Sequence, residues 1–189
     1  MRSIALSAGV VMAGVAPAPG ANLLTNPGFE SGLAGWTFVN PAHPMPPADW
    51  GLDPFAFTGT NSVRFGNAGA LTVLKQDVPA LVPGQQYELS FWAYNLGIDN
   101  DVFVAEMINA SETQSQEIIP LGFLGTGLES WTQVSVTFTA QQGWDRLRIM
   151  GRDNAAVYYL DDLNLSAVVP APAGLAVLGL AGCLARRRR

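Results

Sequence analysis

Between Gln86 and Tyr94 polar and apolar side chains alternate. Leu89, Phe91 and Ala93 fall on one side, and Glu88, Ser90, Trp92 and Tyr94 on the other. Val134, Val136 and Phe138 alternate in the same way with Gln133, Ser135 and Thr137. A period of two marks a strand with one buried and one wetter face. The same reading predicts strands over 36–39, 62–65, 70–78, 102–109, 116–121, 132–139, 146–151 and 157–165, with a short strand and turn over 22–30. The stretch 40–54 holds Pro41, Pro44, Pro46, Pro47 and Pro54, which predicts an ordered loop. No helical periodicity is visible between 22 and 168. About ten short strands separated by turns predict an all-β fold, an antiparallel β-sandwich of the jelly-roll kind.

The two ends of the chain follow other patterns. Met1-Arg2 precedes a 13-residue apolar stretch, Ile4 to Ala16, and then small residues through Ala21. Residues 1–21 are predicted to be a secretory signal peptide, too short to span a bilayer. Val168 to Ala185 carries no charged side chain, and Arg186, Arg187, Arg188 and Arg189 follow it. As a helix those uncharged residues would reach ~27 Å at 1.5 Å each, against a hydrocarbon core of roughly 30 Å. The stretch 174–184 has no polar face to keep it in water. Arginines after an apolar span tend to stay in the cytoplasm, which would put everything before Val168 outside. Residues 22–168 then form the exported domain, and 169–189 a sorting or anchoring segment with a C-terminal transmembrane helix.

The order Val169-Pro170-x-Pro172, short Gly/Ala/Leu-rich helix, then Arg186-Arg187-Arg188-Arg189 resembles the PEP-CTERM sorting signal. That resemblance implies an exosortase-type processing protease as partner. It also implies a Gram-negative bacterium, with the protein at its surface or in its extracellular matrix or biofilm, transiently or stably anchored in the membrane. Ala171 stands where the pattern often has Glu. Pro170 and Pro172 resist helix formation and would keep the segment extended and open to a protease.

Removing both ends changes the charge picture. The whole chain is −5, but residues 22–168 hold only Arg64, Lys75, Arg146, Arg148 and Arg152 against all 15 acidic residues, a net charge of −10. Scattered cations on an acidic domain exclude nucleic acid as a partner. Anionic polymers should be repelled unless a divalent cation mediates. The one cysteine, Cys183, lies in the tail, so no internal disulfide is available and the core must carry stability.

The opening Asn22-Leu23-Leu24-Thr25-Asn26-Pro27-Gly28-Phe29-Glu30-Ser31-Gly32, then Gly35-Trp36, resembles carbohydrate-binding modules of the family 4, 9 and 22 type. Gly59-Thr60-Asn61-Ser62, Tyr87 to Trp92, Trp131-Thr132-Gln133-Val134 with Phe138, and Tyr158 to Leu163 match in the same order. The resemblance implies a galactose-binding-like jelly roll over 22–168. It also implies a structural Ca2+ held by the carboxylates of Glu30 and Asp161 with carbonyls near Thr58 and Asn61, an all-oxygen set of the kind calcium prefers. The alternative is that these carboxylates cap turns. Strand alternation admits only one of Asp161 and Asp162 to a single site.

Trp92 and Tyr94 lie two residues apart on the more polar side of their strand, a candidate platform for stacking a sugar ring. Glu106, Arg146, Arg148 and Tyr158 are candidate neighbours, and Trp50 a candidate rim. The alternative is a second packing layer under a loop. Trp36 and Trp131 read as structural. Catalysis has little to work with. His43 is the sole histidine, and no Gly-x-Ser-x-Gly motif is present. No carboxylate pair stands out among the 15 for a glycosidase. Three readings remain: a non-catalytic surface protein binding exopolysaccharide or another glycan, a matrix scaffold without a specific ligand, and, least supported, a glycoside hydrolase.

Overall fold

The computed structural model describes residues 20–39, 51–65, 71–95, 102–120, 128–152 and 158–169. Residues 1–19 of the expected signal peptide, His43 and Trp50 lie outside the described residues. Of the expected sorting signal only Val169 is described, and it is exposed. Pro170, Pro172, Arg186, Arg187, Arg188 and Arg189 lie outside the described residues, as does the apolar run between them. Among the described residues no helix is long and apolar enough to cross a membrane.

Among the described residues ten strands form, in chain order: β1 (Thr37–Val39), β2 (Gly51–Asp53), β3 (Ser62–Phe65), β4 (Thr72–Asp77), β5 (Gln86–Asn95), β6 (Val102–Ile108), β7 (Ser115–Ile119), β8 (Leu128–Thr139), β9 (Arg146–Arg152) and β10 (Tyr158–Ala167). They build two five-stranded antiparallel sheets. The first has the order β1-β4-β9-β6-β7 and the second β2-β3-β10-β5-β8. Apart from the adjacent pairs β2–β3 and β6–β7, chain neighbours are split between sheets, the crossing-over expected of a jelly roll. The expected alternation is realised: Leu89, Phe91 and Ala93 of β5 face Leu147 and Ile149 of β9, Leu74 of β4 and Phe103 of β6 in one buried core.

The first expected strand, over 22–30, is not one of the ten. Its backbone does run beside β10, with Leu23 N–H donating to the Leu165 carbonyl at 2.7 Å. It then turns through Asn26 and Phe29, both at positive φ (49° and 58°). Asn26 suits that conformation, since short polar side chains tolerate the left-handed region. Its Nδ2 donates to the Gly32 carbonyl at 2.8 Å, and its own carbonyl accepts from Trp36 Nε1 at 3.0 Å. Phe29 and Trp36 pack together at 5.4 Å in the core, so the quoted opening motif is a turn locked by one asparagine and two aromatics. The expected 40–54 loop contains a strand at its end, β2, which pairs with β3 through Leu52 and Val63.

Candidate functional site

The residues expected to form one glycan platform are distributed over both outer faces and the core. Trp92 and Tyr94 of β5 do share the outer face of the second sheet. Tyr94 pairs across with Tyr159 of β10. Tyr158 points the other way and is fully buried against Phe103 at 5.7 Å, so it cannot touch a ligand from this face. The parity of β10 explains the error: Tyr158 and Leu160 are its inward pair and Tyr159 its outward residue. Glu106 and Arg148 sit on the outer face of the first sheet, across the sandwich from Trp92. They are direct partners on β6 and β9, with Arg148 Nε donating to Glu106 Oε1 at 2.6 Å.

The aromatic face is roofed. The loop after β2 lays Phe57 on Trp92 at 3.7 Å and 17°, a stacked pair. Phe55 settles among Tyr94 (4.9 Å), Tyr159 (5.0 Å) and Trp131 (5.4 Å). Trp92 and Tyr94 are thus half-buried, and the exposed aromatic surface is that of Phe55 and Phe57, 43% and 36% accessible. Trp131 joins this layer rather than the core.

The roofing loop hangs from the carboxylates expected to bind calcium. Asp161 Oδ2 accepts from Phe57 N–H at 2.9 Å and Thr58 N–H at 3.0 Å, and Oδ1 from Asp162 N–H at 2.7 Å. Glu30 accepts from Thr60 N–H through both oxygens, from Thr60 Oγ1 at 2.9 Å and from Asn61 N–H at 2.9 Å. Those bonds hold its carboxyl below the usual range, the Thr60 N–H contributing most. Alternation along β10 breaks at a bulge between Asp161 and Asn164, with Asp162 at φ 47°. Both aspartates therefore turn toward one spot, 3.6 and 3.0 Å from where a Cβ on Gly28 would stand. Burial raises the carboxyl pKa of Asp161, and the neighbouring Asp162 charge raises it further. Neither aspartate has an ion-pair partner among the described residues.

Tested for a cation, the donor set divides. Two converging carboxylates without a counter-charge suit a hard divalent ion. Glu30 does not fit as it stands, because both its oxygens already accept from three loop donors, Thr60 N–H, Thr60 Oγ1 and Asn61 N–H. Thr58 and Asn61 present N–H groups rather than carbonyls to the two expected carboxylates. Among the described residues no group of three or more His, Cys, Asp or Glu side chains is gathered for a metal.

The outer face of the first sheet carries a recess. It has a volume of ≈ 290 Å³ and is lined by Thr25, Gly35, Thr37, Lys75, Gln76, Asp77 and Arg146. Register builds it: Thr37 of β1 opposes Lys75 of β4, and Asp77 of β4 opposes Arg146 of β9. Gln76 points inward, accepts from Thr25 N–H at 2.6 Å and donates to the Thr25 carbonyl at 2.9 Å, fixing one wall. Arg146 Nε donates to Asp77 Oδ1 at 2.5 Å. Glu112, at the tip of the β6–β7 hairpin, reaches back over the sheet. It accepts from Lys75 Nζ at 2.6 Å and from Arg146 at 2.9 Å, and lies 3.4 Å from Arg148. The Lys75 hydrogen bond, foremost, holds the Glu112 carboxyl below its ordinary value. Sequence reasoning overlooked this recess. Its one available signal was the outward triplet Lys75, Arg146 and Arg148 on two expected strands, and strand order cannot be read from alternation.

Residues 21–150 match the family described as "Carbohydrate binding domain". Among solved structures, the fold is similar to the CBM22-1 xylan-binding domain from Paenibacillus barcinonensis Xyn10C, at a TM-score of 0.54 and 17% identity over 84% of this chain and 100% of that one. It is also similar to TmCBM61 in complex with beta-1,4-galactotriose (TM-score 0.52, 19% identity, 77% of this chain and 97% of that one). A third is the K3 cleaved adhesin domain of Lys-gingipain from Porphyromonas gingivalis (TM-score 0.52, 17% identity, 79% and 98%). No curated protein matches the chain.

Proposed function

Because the chain belongs to the carbohydrate-binding domain family, we propose that it is a non-catalytic glycan-binding protein whose ligand lies in the recess of the first sheet. The observation that carries this is the lining itself. Sugar hydroxyls both donate and accept, and Lys75, Arg146, Asp77, Thr25 and Thr37 supply both kinds of group around one recess of ≈ 290 Å³. The xylan and beta-1,4-galactotriose named for two of the similar structures set the first oligosaccharides to try. Export through the N-terminal segment and display at a Gram-negative cell surface or in its matrix complete the proposal. Membrane anchoring and exosortase-type processing of the tail rest on the Val169-Pro170-x-Pro172 and Arg186-Arg187-Arg188-Arg189 pattern.

A structural Ca2+ is a further part of it. Asp161 would hold the ion, with Glu30 joining on release of Thr60 and carbonyls of Thr58 and Asn61 completing the set. The ion would supply the positive charge that the buried aspartate lacks. A second reading, a matrix scaffold without a glycan, draws on the roof of Phe57 over Trp92 and of Phe55 over Tyr94, which covers the aromatic platform.

Calorimetric titration of the protein with xylo- and galacto-oligosaccharides tests the glycan reading. Asp77→Ala removes a charged hydrogen-bond partner and should weaken binding ~10- to 100-fold. No binding across a broad glycan panel would favour the scaffold.

A further inference from the structure

Three of the five cations between residues 22 and 168 meet on one face of this acidic domain. Three carboxylates belong to that face by strand register, Asp77 opposite Arg146, Glu106 opposite Arg148, and Glu117 opposite Glu106. Lys75 has no strand-borne carboxylate of this kind. Its partner among the described residues is Glu112, which comes from outside the sheet. The same carboxylate reaches Arg146 and Arg148.

We infer that Lys75, Arg146 and Arg148 form a carboxylate-recognition site, occupied in the free protein by Glu112, and that the bound glycan bears a uronate-type carboxylate which takes that place. This rests on the glycan reading of the same recess and names the ligand class.

The pairing of these cations supports it. Without Glu112 the face holds Lys75, Arg146 and Arg148 against Asp77, Glu106 and Glu117, and Lys75 is the cation left with no ion-pair partner among the described residues. One external carboxylate would take up the Lys75 ammonium that Glu112 releases. Guanidinium and ammonium donors already converge on a carboxylate here, at 2.6, 2.9 and 3.4 Å, so the geometry of recognition is preformed. Exchange costs little because the Glu112 side chain is 32% accessible and partly exposed ion pairs are weak. The hairpin does not depend on that side chain for its shape. Asn109 Oδ1 accepts from Thr113 N–H at 2.9 Å and Gln114 N–H at 3.2 Å, and the Asn109 carbonyl from Glu112 N–H at 2.8 Å. The overall charge of −10 discourages long-range capture of polyanions, so recognition would act at contact, one carboxylate at a time.

The test is the ratio of affinities for tri-galacturonate and for neutral galactotriose, by calorimetry on the purified protein at neutral pH. The wild type should prefer the uronate by about tenfold, the factor that corresponds to ~1.4 kcal/mol. Glu112→Gln removes the competing charge and should raise the ratio several-fold. Lys75→Met should erase the preference. A sulfated galactose trimer distinguishes the anion: tighter binding than the uronate would overturn the carboxylate assignment. Galactotriose binding with no uronate preference, or a ratio that falls in Glu112→Gln, overturns this inference and leaves the glycan reading standing. Binding of none of these sugars, nor of any in a wider panel, removes both.

Discussion

Truncating Trp92 separates the two outer faces. Its ring lies half-buried under Phe57, in a stack of 3.7 Å, within a layer shared with Phe55, Tyr94, Trp131 and Tyr159. Removing a fully buried Trp costs about 3–5 kcal/mol. Partial burial brings the packing loss of Trp92→Ala to roughly 2 kcal/mol, and the stacked pair adds about 0.5–1.5. A total near 3 kcal/mol in a domain of this size lowers Tm by roughly 6–12 °C. Thermal denaturation followed by circular dichroism reads that shift, and calorimetry reads glycan affinity below Tm. The expected pair of results is a lower Tm with affinity within about twofold of wild type. An unchanged Tm together with lost binding would show that the Phe57 roof opens and that the aromatic face is the ligand site. The assignment to the first sheet would then be wrong.

Chelation with EDTA should lower Tm, since an ion bound only to the native state at 100 times its Kd adds about 2.7 kcal/mol; Asp161→Ala should remove the sensitivity, and a wild-type curve indifferent to chelator would discard the calcium proposal. Glu30 and Glu112 both have depressed carboxyl pKa values in the fold. Their stabilisation is therefore present above the unfolded-state value, about 4.3, and is lost as pH falls through the lower folded values. Asp161 runs oppositely: its raised pKa stabilises the protonated form and opposes that loss as pH falls. Stability plotted from pH 6 to 3 should accordingly fall less steeply in Glu112→Gln than in wild type, and superimposed slopes would deny Glu112 its ion network. Replacing Arg186, Arg187, Arg188 and Arg189 together by Ser should redirect the protein past the membrane; unchanged fractionation and mature mass would refute a sorting role for the tail.

Much of the sandwich was legible because strands such as β5 and β8 alternate apolar and polar residues over much of their length. The stretch 62–65 is β3, and β5, β6, β8, β9 and β10 overlap their expected spans. β2 escaped because three residues beside a proline-rich stretch carry no alternation to read. The site was less legible, for reasons of distance. Phe55 and Phe57 meet Trp92 and Tyr94 through a loop whose path depends on Asp161, about a hundred residues away (|i−j| = 104). Pairing of β6 with β9 carried Glu106 and Arg148 to the far face. The bulge in β10 defeated the alternation argument for Asp161 and Asp162, since an extra residue resets the face without marking the sequence. Glu112 gave no signal at all, because a hairpin tip can fold over either face.

Amide-shift mapping of the isotope-labelled protein, titrated with a bound oligosaccharide, tests the central claim most directly. With the glycan in the recess, the backbone amides of Thr37, Lys75, Gln76, Asp77 and Arg146 should move together, while those of Trp92, Tyr94 and Tyr159 stay in place. Shifts confined to Trp92, Tyr94, Tyr159 and the Phe55–Phe57 loop would contradict it and put the ligand on the opposite sheet.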